Sequence, residues 1–306
     1  MATFTAAHAE LFEAREKSVF FQHLAMAPSM FTNLLEVVGE GTKAYVDRQR
    51  VAGLGTLSTK PEGTSVSFDD PVSGARVRSV FLTYALGWRA TMEALEDELF
   101  NVFDRMSAEL AMSVADHKER LAWSMMNDGF AGTTFTGLES EALYSTTHSL
   151  IKTGGTASNS LSPAIALNQT GLETILSDAH TTLSDEGRFN RLSTAKLLYH
   201  PDLAHRAYEL LNTEFKPGSG DNDRSTVAST RTGMTPVVDT GVPYMTNVDG
   251  WSVHGVPGEN SLTFGLRKGE TFGEHNDADT FDKKFYAHYR AIPYFNEWRN
   301  NFGSNV

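Results

Sequence analysis

The sequence of 306 residues contains no cysteine. This absence excludes a disulfide scaffold, a thiolate metal site and a cysteine nucleophile. The chain also lacks an uninterrupted apolar run of about eighteen residues, so we expect no membrane-spanning helix. The N-terminus carries acidic residues and no basic start followed by an apolar block, which argues against a secretory signal.

Positive charge is scarce as well. The chain has 26 Lys and Arg against 38 Asp and Glu, which gives a formal net charge of -12. No basic run exists, whereas tight nucleic-acid binding normally depends on Lys and Arg that neutralise phosphates. The acidic surplus suits solubility, or a protein that lies near DNA without adhering to it. With 40% hydrophobic residues, the chain can still bury a substantial core.

The familiar signatures of catalysis are absent too. The sequence has no Walker A loop, no GxGxxG, no HExxH and no GxSxG motif. His200 and His205 are separated by about 140° around a helix and cannot share a metal ion. The acidic turn around His275 lacks the glycine and the closing glutamate of a calcium loop. We therefore predict no enzyme activity, no catalytic residue, no cofactor and no metal site, and we expect His148 to pack or cap locally.

One long helix is the strongest positive signal. From Arg89 to Asp128 the chain has neither Gly nor Pro, and Gly129 follows as a plausible C-cap. The spacing predicts a helix over residues 91–128, up to about forty residues and roughly 50–60 Å long. Its expected apolar stripe comprises Met92, Leu95, Leu99, Val102, Met106, Leu110, Val114, Leu121 and Met125. A coiled coil is the alternative, although the spacing drifts after Met106 and no second helix of matching length is evident.

A β-hairpin is predicted before this helix. Residues 64–69 and 76–86 are rich in β-forming residues and are separated by the turn sequence DDPVSG. The first arm has few large apolar side chains, so the hairpin is expected to project and to be stabilised elsewhere. Residues 1–47 begin with a short amphipathic stretch that ends at Pro28.

The rest of the chain alternates between helix and strand. We predict a helix over 168–183, a strand over 194–200 and a helix over 201–213, followed by a Gly-rich loop and short strands near 237, 243 and 251. Residues 130–158 are rich in Gly and Thr and are expected to be extended or looped. From Ser261 onward the pattern predicts strands again.

Several stretches together resemble a known family. They are TPVVDTGVPYMTNVDGWSVHG at 235–255, NSLTFGLRKGETFGEHNDADTFDKKFYAHYRAIPYFNEWRNNFGS at 260–304, EALYSTTHSL, and LLYHPDLAHRAYELL. Their order and spacing are similar to those of the major capsid proteins of tailed bacteriophages, which have the Hong Kong 97-type fold. Asp249-Gly250-Trp251, Arg290, Trp298 and Gly303-Ser304 fall at corresponding places.

The resemblance implies an α+β fold with four parts. It implies a spine helix that lies on a sheet without a helical partner, with sheet strands drawn from 130–158 and 255–304. The N-terminal arm and the hairpin are expected to reach over neighbouring subunits. The expected division is an N-terminal arm at 1–47, an extended loop at 48–90, a peripheral domain at 91–158 and 251–306 with the spine helix at 91–128, and an axial domain at 159–250.

The resemblance also implies a function. The chain is expected to self-assemble, as hexamers and pentamers, into an icosahedral shell that encloses the double-stranded DNA of a tailed phage. It implies assembly in the host cytoplasm, residence in the virion, no sequence-specific DNA binding, no membrane, and scaffolding, portal and cement proteins as further partners. Because the sequence starts almost directly at the arm, scaffolding is expected from a separate protein or a segment already removed.

Charged residues of the hairpin are the candidate inter-subunit contacts. Lys60, Arg76 and Arg78 are predicted to pair across subunits with the acidic start of the long helix, at Glu93, Glu96, Asp97 and Glu98; the alternative is that all are solvated charges of one subunit. Some members of the family join a hairpin lysine covalently to an asparagine, for which Lys60, Asn260 and Asn276 are the candidates.

Two other functions stay open at this point. An encapsulin-like nanocompartment would share the fold but enclose an enzyme. A soluble α/β enzyme would use the Gly-rich loop at 217–234 over a pocket near His200 and His205.

Overall fold

The computed structural model describes residues 3–39, 41–91, 93–94, 102–190, 195–215, 223–277 and 282–306, and side chains from residue 14 onward with the exception of Arg231. Its architecture is α+β. The helices are α1 Thr3–Met26, α2 Val102–Asn127, α3 Gln169–Thr181, α4 Ala204–Asn212 and α5 Ser229–Thr232, with short 3-10 turns at Phe31–Asn33 and Pro201–Leu203. The strands are β1 Glu36–Gly39, β2 Tyr45–Ala52, β3 Val72–Val80, β4 Leu82–Ala90, β5 His148–Ser149, β6 Thr156–Ala157, β7 Lys196–Tyr199, β8 Thr235–Pro236, β9 Trp251–His254, β10 Leu262–Asn276, β11 Lys283–Phe295 and β12 Asn301–Ser304.

A four-stranded sheet forms the base of the first core. Its order is β1-β10-β11-β4. β11 is antiparallel to both β10 and β4, whereas β1 is parallel to β10. The side chains of β11 alternate, so that Phe285, Ala287 and Tyr289 are buried while the residues between them point to the opposite face. Helix α2 covers the buried face. The strands predicted after Ser261 are confirmed.

The predicted long helix is confirmed over Val102–Asn127, and Glu93 and Ala94 are also helical. Leu110, Val114 and Met125 are buried as expected. Val102 and Met106 are not, since they are 44% and 40% exposed. The buried face is rotated relative to the expected stripe and includes the small residues Ser107, Ala111 and Ala122. Its members are Phe103, Ser107, Leu110, Ala111, Val114, Glu119, Ala122, Trp123, Met125 and Met126.

Helix α1 explains that rotation, because it packs along α2. Small residues on α2 let a second helix approach, and Phe20 of α1 reaches past it to lie 5.1 Å, centroid to centroid, from the ring of Phe272. Beyond α1, the Glu119 carboxylate accepts hydrogen bonds from the backbone N–H of Met30 and the indole of Trp123, at 2.7 and 2.8 Å. The expectation that the long helix has no helical partner is therefore wrong.

The segment expected to be an arm is packed on its own chain. Phe20, Phe31 and Leu34 are at most 3% exposed, and residues 36–39 form an edge strand of the sheet. Phe20 of α1 belongs to the first core and Leu24 packs against it, contacts within the chain that the sequence pattern alone did not predict.

Residues 130–158 do not join the four-stranded sheet, in contrast to the expectation. Their two short strands, β5 and β6, pair only with each other. Polar side chains organise this segment instead: the carboxylate of Asp128 accepts the backbone N–H groups of Thr133, Thr134 and Phe135 at 2.6–3.0 Å. A stretch so rich in Gly and Thr has too few apolar side chains for a buried strand.

A second core lies between α3, α4 and a sheet of order β12-β9-β7-β8. The helices predicted over 168–183 and 201–213 and the strand predicted over 194–200 are confirmed, with Asn168 capping α3 through the backbone N–H of Gly171 at 2.7 Å. Trp251 packs so close to Gly171 that a Cβ there would lie 2.9 Å from its ring. The strand expected near 243 is a turn, and the short helix α5 was not predicted.

Candidate functional site

The hairpin is the first candidate surface, and its strands differ from those expected. β2 pairs with β3, from Tyr45 opposite Val80 to Ala52 opposite Val72. Residues 64–69 are not a strand, and the DDPVSG turn does not separate two strands, because its last residues belong to β3. The run 76–86 is divided at Phe81, whose ring is buried. β4 lies in the four-stranded sheet, so residues 82–90 are not part of the hairpin ladder.

The hairpin tip, residues 53–71, exposes apolar side chains. Leu57 is 102% exposed and Phe68 is 93% exposed, with Leu54 and Val66 also in solvent. The tip is held in shape by polar contacts: Asp69 accepts the backbone N–H of Gly55 at 2.7 Å and the ammonium of Lys152 at 2.6 Å. Four large apolar side chains exposed within this one segment are typical of an interaction site.

The hairpin root, defined by Arg48, Arg50 and their partners, is buried. The Arg50 guanidinium donates to both oxygens of Asp185 at 2.6 and 3.0 Å and to Glu139 at 3.0 Å. Arg299 donates to the same Asp185 at 3.0 Å, and all four side chains are at most 7% exposed. Removing one member would leave charges buried without partners, so the root attaches the hairpin to the body firmly.

His148 lies beside this root. Its ring hydrogen-bonds Glu139 at 2.8 Å and Asn159 at 2.9 Å and stacks on Trp298 with centroids 4.2 Å apart. His148 and Arg50 both favour the ionised form of Glu139 and hold the pKa of that carboxyl below its usual value against the effect of burial. The prediction that His148 packs locally is confirmed.

The predicted contact residues fall in different places. Arg76 and Arg78 both pair with Asp47 of the same strand ladder, Arg78 at 2.7 Å, and the hydrogen bond from Arg78 holds the pKa of Asp47 below its usual value. Lys60 is exposed at the tip and Glu93 is exposed at the helix start. Glu96, Asp97 and Glu98 lie outside the described residues. Pairing across subunits stays a prediction.

One candidate for covalent joining is closed off. Asn260 is fully buried, and its amide donates to the backbone carbonyls of Leu34 at 2.8 Å and Gly255 at 3.1 Å. A lysine of another copy could reach the Asn260 amide only if the segments around Leu34 and Gly255 unfolded. Asn276 is exposed.

An apolar groove, here called the edge groove, lies between α2 and β4. It has a volume of about 380 Å³. It is lined by Thr83, Tyr84, Ala85, Leu86, Ser113, Val114, His117, Ala287 and Tyr289. His117 hydrogen-bonds the Tyr289 hydroxyl at 2.6 Å, and burial lowers the pKa of His117, so it is neutral near pH 7. Among the described strands, β4 pairs only with β11, which leaves its outer edge and the exposed Leu82 and Leu86 without cover.

A serine, a histidine and an asparagine form a hydrogen-bonded row in the second core. Ser252 and Asn301 each lie 2.8 Å from the ring of His254, on opposite nitrogens. The arrangement has the connectivity of a nucleophile, a base and an orienting group. All three side chains are at most 3% exposed, and burial lowers the pKa of His254 to about 4. A substrate cannot reach them, so the row stabilises the interior.

The other sequence-based candidates for chemistry are structural or exposed. His200 caps the 3-10 turn by accepting the backbone N–H of Asp202 at 3.3 Å, and His205 lies in solvent. The described residues contain no cluster of three or more metal-ligating side chains, and none of their helices could cross a membrane.

Sequence reasoning missed the root network. Its members come from residues 50, 139, 185 and 299, so no local spacing connects them. The one local signal is the spacing of Arg48 and Arg50 on β2. Because they are two residues apart, both side chains lie on the same face of the strand, whereas a fully solvated hairpin strand could carry charges on either face.

Comparison with known proteins gives one family. A family model described as "Phage capsid protein" matches residues 76–300. Comparison with curated proteins finds no match.

Solved structures with a similar fold include chains of phage and GTA capsids and of a virus-like particle. The capsid chain of bacteriophage JBD30 matches with a TM-score of 0.51 at 11% identity over 90% of this chain, which spans only 65% of the JBD30 chain. The capsid of a native GTA particle matches with a TM-score of 0.58 at 13% identity and 90% coverage of both chains. A virus-like particle from Pyrococcus furiosus matches with a TM-score of 0.50 at 9% identity, covering 96% of this chain and 99% of that one.

Proposed function

The chain belongs to the phage capsid protein family, and from this premise we propose that it is a major capsid protein that self-assembles into the icosahedral shell around the double-stranded DNA of a tailed phage. Its work is assembly and enclosure, without catalytic turnover. The observation that carries the proposal is the family match over residues 76–300, most of the chain.

The proposed fold is of the Hong Kong 97 type. In this assignment α2 is the spine helix, the peripheral domain is 91–158 with 251–306, and the axial domain is 159–250. The axial unit packs α3, α4 and β7 around a core of their own, to which β9 and β12 of the 251–306 segment also contribute. The division is completed by the N-terminal segment 1–47, which packs on its own chain, and by the extended loop at 48–90, whose last strand β4 lies in the four-stranded sheet. The fixed root and apolar tip of the hairpin support a role for that loop over a neighbouring copy.

The tip gives the proposal its physical basis. Burying one large apolar side chain contributes about 1.5–3 kcal/mol, and four such side chains of the tip lie in solvent in the single chain. A contact in which one patch meets a different patch on the next copy closes into a ring when the rotation is right, as hexamers and pentamers require. Scaffolding, portal and cement proteins would be further partners, and the assembled protein would reside in the virion.

Electron microscopy of the purified chain tests the proposal. We expect closed shells built from hexamers and pentamers, after induced assembly where the chain is purified as capsomers. A chain that stays monomeric at high protein concentration under all assembly conditions would contradict it.

The nanocompartment is the second candidate, and the match to a virus-like particle from Pyrococcus furiosus is the observation that favours it. Particle contents separate the two. DNA inside particles isolated from the native source supports the phage shell, whereas a single enclosed enzyme supports the nanocompartment.

A further inference from the structure

The face of the four-stranded sheet opposite α2 is unlike the rest of this acidic chain. We call it the outer sheet face. Its residues are Thr83, Ala85, Gly87 and Arg89 of β4, Lys284, Tyr286, His288 and Arg290 of β11, and Lys268, Thr271, Gly273 and His275 of β10. The register places them in cross-strand rows, such as Arg89, Lys284 and His275 at one end. The face therefore collects four cations, whereas the whole chain has a net charge of -12.

Three of these cations have no carboxylate partner among the described residues. Arg89 and Lys268 are exposed, and Arg290 is half-buried with an Nε that is buried and without a hydrogen-bond partner in the described part of the chain. Lys284 pairs with Asp277 at 2.6 Å. Elsewhere most arginines and lysines on the described surface do find a carboxylate, such as Arg120 with Asp116.

The acids of β10 are turned away from this face. Glu270 pairs with Lys118 of α2, and Glu274 pairs with Lys283, so both lie on the helix side of the sheet. The remaining titratable groups of the face are His275, His288 and Tyr286. His288 accepts a hydrogen bond from Lys268 at 2.9 Å, and burial and the Lys268 charge lower its pKa, so it is neutral near pH 7. The permanent positive charge of the face therefore resides on its Lys and Arg side chains.

The side chains between the cations are small or aromatic. Gly87, Gly273 and Ala85 leave the backbone close to the surface, and the ring of Tyr286 lies across Gly273, where a Cβ would approach it to 2.8 Å. The cations of β11 and β10 are spread over about 20 Å along the strands, from position 284 to position 290. Cations spread along a face in this way can neutralise the regularly spaced phosphates of a polyanion.

We propose that the outer sheet face binds the phosphate backbone of the double-stranded DNA that the shell encloses, through Arg89, Lys268, Lys284 and Arg290. The inference rests on the proposed function for the identity of the occupant. With about four phosphate contacts a subunit binds weakly and without sequence preference, because backbone contacts position a duplex without reading its bases. Many copies in one shell would hold the duplex through their number.

The test compares two double variants with equal loss of charge. The first is Arg89→Gln with Lys268→Gln, both exposed on the face. The matched control is Lys17→Gln with Arg206→Gln, exposed on α1 and α4. Binding of a short mixed-sequence DNA duplex to the full unassembled chain is measured by fluorescence anisotropy between about 50 and 200 mM salt. Thermal melting checks that both variants are folded.

The salt dependence is the decisive readout. Each phosphate contact contributes about 0.9 to the slope of log affinity against log salt. We expect the face variant to lose about 2 from the slope of the unmodified chain, and the control to keep that slope. Equal slopes for all three proteins, or no salt-dependent binding by the unmodified chain, would overturn the proposal.

Microscopy of the same proteins separates this inference from the proposed function. A face variant that forms no shells but keeps the unmodified DNA slope would assign the cations to a contact with a second copy and overturn the inference. An unmodified chain that forms no shells would count against the proposed function, whatever the DNA measurement gives.

Discussion

The two ends of the hairpin follow opposite rules. At the root, Arg48 and Arg50 are 8% and 7% exposed and bury their charges among partners of the same chain. At the tip, Leu57 and Phe68 are almost completely exposed. Charged residues are normally the most exposed in a protein and large apolar ones the most buried. The charged groups of the root therefore find their partners within the single chain, whereas the apolar side chains of the tip are buried only when another molecule covers them.

This difference separates two tasks within one element. The root fixes the direction in which the hairpin leaves the body, since Arg50 donates to Glu139, Asp185 and the backbone carbonyl of Ser149, all of which are distant from it in the sequence. The tip keeps apolar surface exposed and available for burial against another molecule. A rigid attachment lowers the conformational entropy lost when the tip binds, so more of the burial energy goes into association.

The largest expected effect comes from breaking the root. Arg50→Ala leaves Asp185 and Glu139 buried with fewer partners, and loss of one member of such a network costs about 3–5 kcal/mol of unfolding free energy. Chemical denaturation of the unassembled chain measures it. Arg76→Ala, an exposed arginine on the paired strand, is the control and should change stability little. An Arg50 variant as stable as the control would mean that the root is not the attachment.

The contact between α1 and α2 is a second region, besides the hairpin root, in which an ionisable side chain is buried within the single chain. Glu16 is 0% exposed, and burial raises its pKa from 4.5 to about 7, with Asp104 nearby adding to the shift. Since the folded chain keeps this proton when the unfolded chain has lost it, its contribution is full below pH 4.5 and disappears as pH rises through 7. The maximum is about 3 kcal/mol.

Glu16→Gln should remove that dependence and raise stability above pH 7 by up to about 3 kcal/mol. Denaturation midpoints measured from pH 4.5 to pH 8 would show it, with Glu109→Gln on the exposed face of α2 as the control. If Glu16→Gln and the unmodified chain lose stability in parallel over this range, another group is responsible.

Local patterns predicted the parts of the fold that are decided locally. The long helix, the helices α3 and α4, and the strands β10 and β11 follow from spacing of apolar residues and from caps such as Asn168. The buried face of α2 could not be predicted in this way, because α1 decides it. For the same reason, the segment expected to be an arm was placed outside the body.

The candidate site divides along the same line. That the hairpin projects could be inferred from the few large apolar side chains in residues 64–69, but the strands of the hairpin could not be predicted. Residues 53–71 separate β2 from β3. The register of the two strands therefore depends on pairs such as Asp47 and Arg78, which are brought together only after this long connection. The root depends on four distant segments, for which a single sequence carries no signal.

A smaller effect is expected on the exposed side of the hairpin ladder. Arg78 donates to Asp47 and lies over the ring of Tyr45, 3.8 Å from its centroid. Arg78→Gln should raise the pKa of Asp47 toward its ordinary value, so that the stability linked to this carboxyl is lost at higher pH as the solution is acidified. NMR titration of the Asp47 side chain measures the change. An unaltered Asp47 pKa would assign the shift to Arg76, and Lys60→Gln at the tip is the control.

The smallest effect on the isolated chain is expected at the tip, and it sharpens the comparison most. Leu57→Ser with Phe68→Ser removes apolar side chains that contact solvent, so the unfolding free energy of the unassembled chain should change by no more than about 0.5 kcal/mol. The same variant should sharply lower the yield of shells in microscopy and light scattering. Phe189→Ser, which removes a phenylalanine that is 70% exposed outside the tip, is the matched control for stability.

If the tip variant unfolds as easily as the root variant, the tip is part of the chain's own core. If it assembles like the unmodified chain, the exposed side chains have no partner in the shell. Only a stable chain that cannot assemble fits a hairpin whose root belongs to one copy and whose tip belongs to the next.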